Sequence, residues 1–385
     1  MTRTSNRSSK IAASMLAAAL AGSMCIPATA FADPHQELIP VGDPIAASSV
    51  KAGNYSVTIS ADNRFFKPTE GVLSIDKKSA TVSFNHTTYD FAWLGTIEEY
   101  EAAAKAGDVT ADPRYITGVE TTSLNSAVQL RPGNRFTLPI TNLNEPFSIT
   151  VNNPVKKEMF ERKICVNCAD KSALVAAANV KVSVSKAGEL ARDTNSPSSD
   201  LMAQREVVAT DTNNDGKVSC SEALAAAGAK YMLNEKALAK YSVIKGNKLV
   251  SKTSKEQVKD GDSIVAFTYA TKKGKDSYTK FNKSTATVKV GKTLNLTLKG
   301  IEAKKANGKN KLTTIKGTKE ITVTCSERFG VDGAAAVQID HKKLTKNGTV
   351  SLKFKTAGTY VVTAEGKTAK GSKIIAPVCL VTVTE

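Results

Sequence analysis

The chain has 385 residues, 53 of them Lys or Arg against 36 Asp or Glu, a formal charge of +17, and only 6% aromatic residues. Such a length supports two to four domains of ordinary size. No apolar run beyond the N-terminus approaches the ~20 residues that span a bilayer, which excludes a transmembrane segment after processing; scarce aromatics argue against specific nucleic-acid binding by base stacking.

The N-terminus carries Arg3, Arg7 and Lys10, then an apolar, Ala-rich run from Ile11 to Ile26, then Pro27-Ala28-Thr29-Ala30-Phe31-Ala32. A charged start, an apolar centre and small residues at the end predict a secretory signal peptide over residues 1–32, cleaved after Ala30 or Ala32. The expected location is extracellular, with the chain either released or held at the cell wall by non-covalent contacts. Cys25 follows Met24 rather than the small residue that precedes a lipid-modified Cys. Leu138-Pro139-Ile140-Thr141-Asn142 resembles a sortase signal but sits mid-chain, where it reads as a strand containing Pro.

Residues 33–50 form an extended lead-in. From 51 to 190 a β-sandwich is expected: Gly53 to Ser60 alternates polar and apolar, Val72 to Phe84 reads as a hairpin, and Arg135 to Thr141 and Phe147 to Asn152 read as strands. One helix is predicted from Ile97 to Ala106, with Thr96 as its cap and Glu98 and Glu99 complementing the N-terminal dipole. The polar stretch around Arg192 to Asp200 predicts a linker over 191–206. Leu201 to Thr210 and Glu222 to Tyr241 are the helical candidates flanking an acidic loop, the second rich in Ala. Strands resume at Tyr241, with Asp262 to Tyr269 the clearest. The expected middle module covers 207–292, and regularly spaced strand signals predict an antiparallel sandwich over 293–385. The fold class is therefore mainly β and multi-domain: an N-terminal sandwich, a helix-loop-helix joined to a middle β module, and a C-terminal sandwich.

Charge is divided unevenly along this order. Lys236 to Glu385 holds 30 basic and 11 acidic residues, whereas residues 33–235 hold 20 and 25. The Lys residues are mostly spaced along strand-like segments such as Thr285-Ala286-Thr287-Val288-Lys289-Val290, the pattern of a solvated sheet face. The partners such a face suits are an anionic cell-wall polymer or another surface protein.

Five Cys remain after processing: Cys165, Cys168, Cys220, Cys325 and Cys379. Cys325 and Cys379 lie in alternating segments and are candidates for a bridge between two strands of one sandwich. Cys165-Val166-Asn167-Cys168 has redox or zinc half-site spacing but lacks a second such pair, so a local loop disulfide is the expectation.

The segment that carries chemistry is Asp211-Thr212-Asn213-Asn214-Asp215-Gly216-Lys217-Val218-Ser219-Cys220-Ser221-Glu222. Ca²⁺ is a hard cation that takes six to eight oxygens. Asp211, Asn213 and Asp215 supply side-chain oxygens at alternate positions, Gly216 permits the sharp turn, and Lys217 offers its backbone carbonyl. Ser219 ligates directly or through water, Glu222 closes the site with two oxygens, and Val218 faces the core. A polar surface turn uses Asp, Asn and Gly as well, but it has no need of Glu222 at the twelfth place. The three carboxylates of one unpaired loop predict the modest affinity of extracellular modules, roughly 10⁻⁴–10⁻³ M.

These twelve residues resemble the EF-hand family and one repeat of a dockerin; both usually carry paired loops, and no second copy occurs here. Residues 207 to about 290, with Val258 to Tyr269, resemble the β-grasp domain shared with the transcobalamin C-terminus in Gram-positive surface proteins. That resemblance implies aromatics near a ligand, for which Tyr231, Tyr241 and Tyr269 are the candidates. The last module resembles bacterial Ig-like modules. Residues 51–160 faintly resemble haem-binding NEAT domains, whose Tyr pair is replaced here by Glu158-Met159-Phe160-Glu161-Arg162-Lys163.

Catalytic signals are absent from the sequence. His35, His86 and His341 share no context, and neither a nucleophile elbow nor a phosphate loop occurs. The expectation is a non-enzymatic, calcium-binding surface protein. Its alternatives are a capture protein for a corrinoid, haem or glycan, and a wall-active hydrolase.

Overall fold

The computed structural model describes residues 36–124, 130–193, 200–271, 274–316, 320–328 and 338–385. The expected signal peptide and residues 194–199 of the expected linker lie outside them.

After a short strand, β1 (Ile45–Ala46), the segment expected as one strand from Gly53 divides at Val57 into β2 (Gly53–Ser56) and β3 (Thr58–Ala61), which enter two different sheets. The predicted hairpin forms as β4 (Thr69–Ile75) and β5 (Ala80–His86), its turn fixed by Asp76, whose carboxylate accepts from the Lys78 and Ser79 amides. Next come β6 (Phe91–Leu94), α1 (Ile97–Ala106), β7 (Tyr115–Thr117), β8 (Val119–Leu124), β9 (Leu130–Pro139), β10 (Asn142–Leu143), β11 (Phe147–Asn153) and β12 (Glu158–Asn167). One antiparallel sheet runs β2-β4-β5-β9-β8 and the other β3-β12-β11-β6-β7.

Because alternate residues of a strand share a face, Leu73, Val82, Phe84 and Leu138 of the first sheet meet Ile149, Val151, Ile164 and Val166 of the second in one core. Each such side chain, fully buried, stabilises the sandwich by about 1.5–3 kcal/mol. Helix α1 starts where predicted: Thr96 Oγ1 accepts from the Glu99 amide while the Glu99 carboxylate accepts from the Thr96 amide. It buries Tyr100 edge-on against Trp93, 5.6 Å between ring centres.

The second sheet system comprises β13 (Ala177–Lys186), β14 (Glu189–Leu190), β15 (Arg205–Thr210), α2 (Cys220–Lys230), α3 (Glu235–Leu238), β16 (Ser242–Lys245), β17 (Lys248–Leu249) and β18 (Ser263–Thr268). Its order is β14-β13-β18-β16-β17, with β15 antiparallel to β13 and β18 parallel to it. Three expectations are corrected here. Leu201 to Thr210 contains a strand instead of a helix, because Arg205-Glu206-Val207-Val208-Ala209-Thr210 alternates buried and half-buried and carries β-branched residues. The helix expected from Glu222 to Tyr241 breaks at Met232, whose φ is +50°, and restarts with Asn234 as cap. The module also begins at Ala177, inside the stretch assigned to the first sandwich, since β13 is the strand that β15 and β18 share.

The expected linker is corrected as well. Asp193, Asp200, Met202 and Ala203 are buried, and Arg192 bridges to Leu201. Polarity here serves ion pairing inside the protein: Arg205 lies 3.2 Å from Asp193 and 2.6 Å from Asp200, all three essentially inaccessible.

The remaining chain supplies β19 (Ser277–Phe281), β20 (Thr285–Lys289), β21 (Thr293–Glu302), β22 (Thr313–Thr314), β23 (Thr322–Glu327), β24 (Gln338–Lys343), β25 (Thr349–Lys353), β26 (Gly358–Glu365), β27 (Ile374–Ile375) and β28 (Val378–Thr384). Sheets β22-β21-β19-β27 (with β25 on β21) and β20-β28-β26-β23-β24 enclose a core that includes Leu296, Leu298, Val323, Leu352 and Val381. This is a two-sheet β-sandwich, to which β19 from Ser277 contributes a strand. Gln36 to Glu385 make one compact unit. No helix among the described residues is long and apolar enough to cross a membrane.

Candidate metal centre

Strand β15 delivers Asp211 and helix α2 delivers Glu222, so the loop is a strand-loop-helix. Asn214 and Gly216 take left-handed backbone, φ +57° and +80°, which reverses the chain tightly enough for side chains to meet backbone amides. Asp211 Oδ1 accepts from the Asp215 amide at 3.2 Å and Oδ2 from the Gly216 amide at 2.7 Å. Asn213 Oδ1 accepts from the Asp215 amide at 3.0 Å, and Asp215 Oδ1 from the Lys217 amide at 3.0 Å.

Glu222 fastens the loop's two ends. Its Oε1 accepts from the amide and hydroxyl of Thr212, at 2.7 and 3.0 Å, and its Oε2 from the amide and hydroxyl of Ser219, at 2.8 and 2.9 Å. Ser219 in turn caps α2 by accepting from the Glu222 amide. Burial pushes the Glu222 carboxyl up, and the hydrogen bonds from Ser219 and Thr212 together outweigh it, leaving its pKa below the ordinary value of 4.5.

Asp211, Ser219 and Glu222 are buried, whereas Asn213, Asp215 and Lys217 are exposed. Val218 is in the core as expected. Its carbonyl accepts from the Val258 amide at 2.8 Å, beside the isolated bridge between Ser219 and Gln257, so an extended segment of the same module takes the pairing that a second loop would otherwise offer. All donors are hard oxygens; each Asp211 oxygen accepts one amide and keeps a further lone pair, whereas each Glu222 oxygen accepts two or more hydrogen bonds, some of which a bound ion would replace. Among the described residues no three His, Cys, Asp or Glu side chains are already gathered at metal-holding distance. The donor set thus fits a calcium-type ion only with Asn213, Ser219 and the Lys217 carbonyl included.

A cleft of about 940 Å³ opens beside the loop. Residues 51–55, 171–178 and 257–260 line it together with Asp211, Gly216 and Lys217. Tyr55 is its one aromatic. The aromatics proposed for a β-grasp ligand stand elsewhere: Tyr231 is buried and donates to the Glu206 carbonyl at 2.6 Å, Tyr241 packs on the module core, and Tyr269 lies edge-on to Phe267.

Both disulfide expectations are corrected. Cys325 and Cys379 are each registered against Val362, on opposite sides of β26. They are two strand spacings apart, roughly 9–10 Å, beyond the ~7 Å limit between the Cα atoms of a disulfide. Cys165 and Cys168 are three residues apart on an extended chain and so face opposite ways; Cys168 joins the sandwich core with Ile164 and Val166, and both thiols are reduced. Burial raises the thiol pKa values, to about 11 at Cys220 and at Cys379, so thiolate chemistry is suppressed.

Sequence reasoning overlooked His86. It is buried, stacks on Phe66 and Tyr89 with centroids 4.8 and 4.4 Å away, and accepts from the Thr88 amide through Nδ1. Burial, helped by the charge of Arg162, lowers its pKa to about 4. Nothing local in the sequence marked it.

No protein-family profile matches the chain, and no curated protein matches its sequence. Solved structures with some likeness include the fibronectin(III)-like modules of Clostridium thermocellum CbhA, at 10% identity over 54% of this chain and 94% of that one, TM-score 0.18. The N-terminal four Ig domains of Dscam1 isoform 9.44 are similar at 9% identity over 82% of this chain and 79% of that one, TM-score 0.15. Salmonella alpha-2-macroglobulin matches at 10% identity over 86% of this chain and 24% of its own, TM-score 0.19. At such scores the likeness carries no conclusion about what this chain does.

Proposed function

We propose that this chain is an extracellular, non-enzymatic binding or scaffold protein that holds one Ca²⁺ in the loop Asp211–Glu222. The observation that carries the reading is Glu222, fastened to both ends of the loop and standing where a twelfth-position ligand closes an EF-hand-type site. Asp211, Asn213, Asp215 and Glu222 would hold the ion with their side chains, Lys217 with its carbonyl and Ser219 directly or through water. Bound calcium would supply positive charge among the three carboxylates, and its role is structural. The residues themselves turn the chain from strand to helix, cap α2 and seat Val218 in the core. The helix laid on a mixed sheet, with the loop at its start, supports a β-grasp-like reading of this module.

Calorimetric titration of Ca²⁺ into the folded chain tests this. Binding heat near millimolar affinity is expected for the wild type and a loss of at least tenfold for Glu222→Gln; equal heats from both proteins would sink it.

The cleft beside the loop supports a second reading, capture of a polar ligand such as a glycan, for which one aromatic wall suffices better than for haem or a corrinoid. The Lys-rich C-terminal sandwich fits retention on an anionic wall polymer. Binding to isolated walls that persists at ~1 M salt, where the Debye length is near 3 Å, would count against it.

A further inference from the structure

The far end of α2 holds a second constellation, made of groups from two modules. Lys230 Nζ lies 2.5 and 2.7 Å from the two carboxylate oxygens of Glu70. Asn85 Nδ2 donates to the same Glu70 Oε2 that Lys230 contacts at 2.7 Å. Arg135 Nε donates to Asn85 Oδ1 at 3.0 Å. Lys230 is 5% and Asn85 0% exposed, and the Tyr231 ring centre stands 5.7 Å from the ammonium.

The first sandwich builds its share from three adjacent strands. Asn85 is registered against Arg135 on β9 and against Thr69 on β4, where a bulge between Thr69 and Val72 swings Glu70 into place. Glu70 takes left-handed backbone there, φ +54°, a conformation that is costly for a side chain of its length. Two nitrogens sharing one acceptor oxygen lie within about 4–5 Å of each other, so the Lys230 amine is held close to the Asn85 side-chain amide.

We propose that Lys230 and Asn85 join in an intramolecular amide that ties α2 to the first sandwich. Glu70 takes a proton from the Lys230 ammonium, leaving a neutral amine beside a neutral acid. The amine attacks Asn85 Cγ and a Nζ–Cγ bond forms, while Arg135 Nε stabilises the charge that develops on Oδ1. Arg135 Nη2, a buried donor without a hydrogen-bond acceptor among the described residues, is a second group for that charge. Glu70 relays the proton lost by Nζ to Nδ2, the Cγ–Nδ2 bond breaks, and ammonia departs, taking the remaining proton as ammonium. Ammonium and amide become secondary amide and free ammonium, with no redox partner or cofactor. Proximity in a water-poor site supplies the rate. Neither the bond nor its test depends on calcium.

Intact mass spectrometry of the denatured full chain decides it. The wild type is expected about 17 Da lighter than its sequence mass for the same termini, one ammonia, and a digest is expected to yield a branched peptide joining Asn85 to Lys230. Lys230→Arg, which keeps a cation for Glu70, and Glu70→Gln, which removes the proton relay, are each expected at full mass. Wild type at full mass overturns the proposal. So does a loss of about 18 Da, which would mean condensation of Lys230 with Glu70, and so does a cross-link that persists in Glu70→Gln.

Discussion

The two ends of helix α2 are stabilised by opposite means. At its start, every hydrogen bond of Glu222 and Asp211 described above closes within the twelve residues of the loop. At its end, Lys230 meets Glu70, 160 residues away in sequence. Beside it, Arg205 meets Asp193, Asp200 and the face of Tyr231, its ring centre 4.5 Å from the guanidinium. The difference concerns what each end can lose. Water can reach the loop's exposed residues 212–217 and replace partners there, whereas a buried charge deprived of its counter-ion has no replacement.

The largest effect is therefore expected at the buried cluster. Arg205→Met removes the nearest counter-ion of Asp193 and Asp200, leaving Arg328 at 3.7 Å from Asp200, and should lower unfolding free energy by about 3–5 kcal/mol in urea melts. A loss below ~1 kcal/mol would put this cluster on a level with surface pairs.

The first sandwich supplies the next effect, through pH. His86 has a folded pKa of about 4 against 6.5 unfolded. A depressed base binds its proton more readily in the unfolded chain, so its contribution is intact above pH 6.5 and drains away as pH falls to about 4. A shift of that size corresponds to about 3 kcal/mol, and His86→Phe should flatten the stability curve by that amount across this window.

At the loop, calcium at ten to a hundred times its dissociation constant should add about 1–3 kcal/mol, removed by chelator and absent in Glu222→Gln. Glu222 has a sign of its own. Its lowered pKa makes its hydrogen bonds stabilising above the ordinary value of 4.5 and weaker as pH falls through the folded value.

The smallest effect separates capping from metal holding. Thr96→Ala and Ser219→Ala each remove a helix cap, at about 1 kcal/mol. Only the second should also reduce the calcium response, and equal behaviour of the two in a calcium-dependent melt would remove Ser219 from the ligand set.

What could be read from the sequence follows the same division. Helix α1 with its Thr96 cap, the β4–β5 hairpin and the turn chemistry of Asp211 to Glu222 depend on neighbours within a few residues, so residue types and spacing specified them. The strand at Arg205 to Thr210 was mistaken for a helix because the calcium motif implied one, although Val207, Val208 and Thr210 favour a strand. Strands β13 and β19, which precede the expected boundaries, pair with strands far along the chain, and such pairing has no local signal. Asp193 and Asp200 read as solvated because nothing nearby announces Arg205 and Arg328 as their partners, the latter 3.7 Å from Asp200.

By itself the sequence determined the β-rich class, the Thr96-capped helix α1 and a loop of hard oxygens, since period-two alternation, capping and tight turns are local in their physics. Only the tertiary structure decided that the cysteines stand apart, that His86 is buried, and that Lys230, Glu70, Asn85 and Arg135 converge. Those outcomes depend on strand register and on which modules pack together, and long-range pairing of that kind leaves no short-range trace in the order of residues.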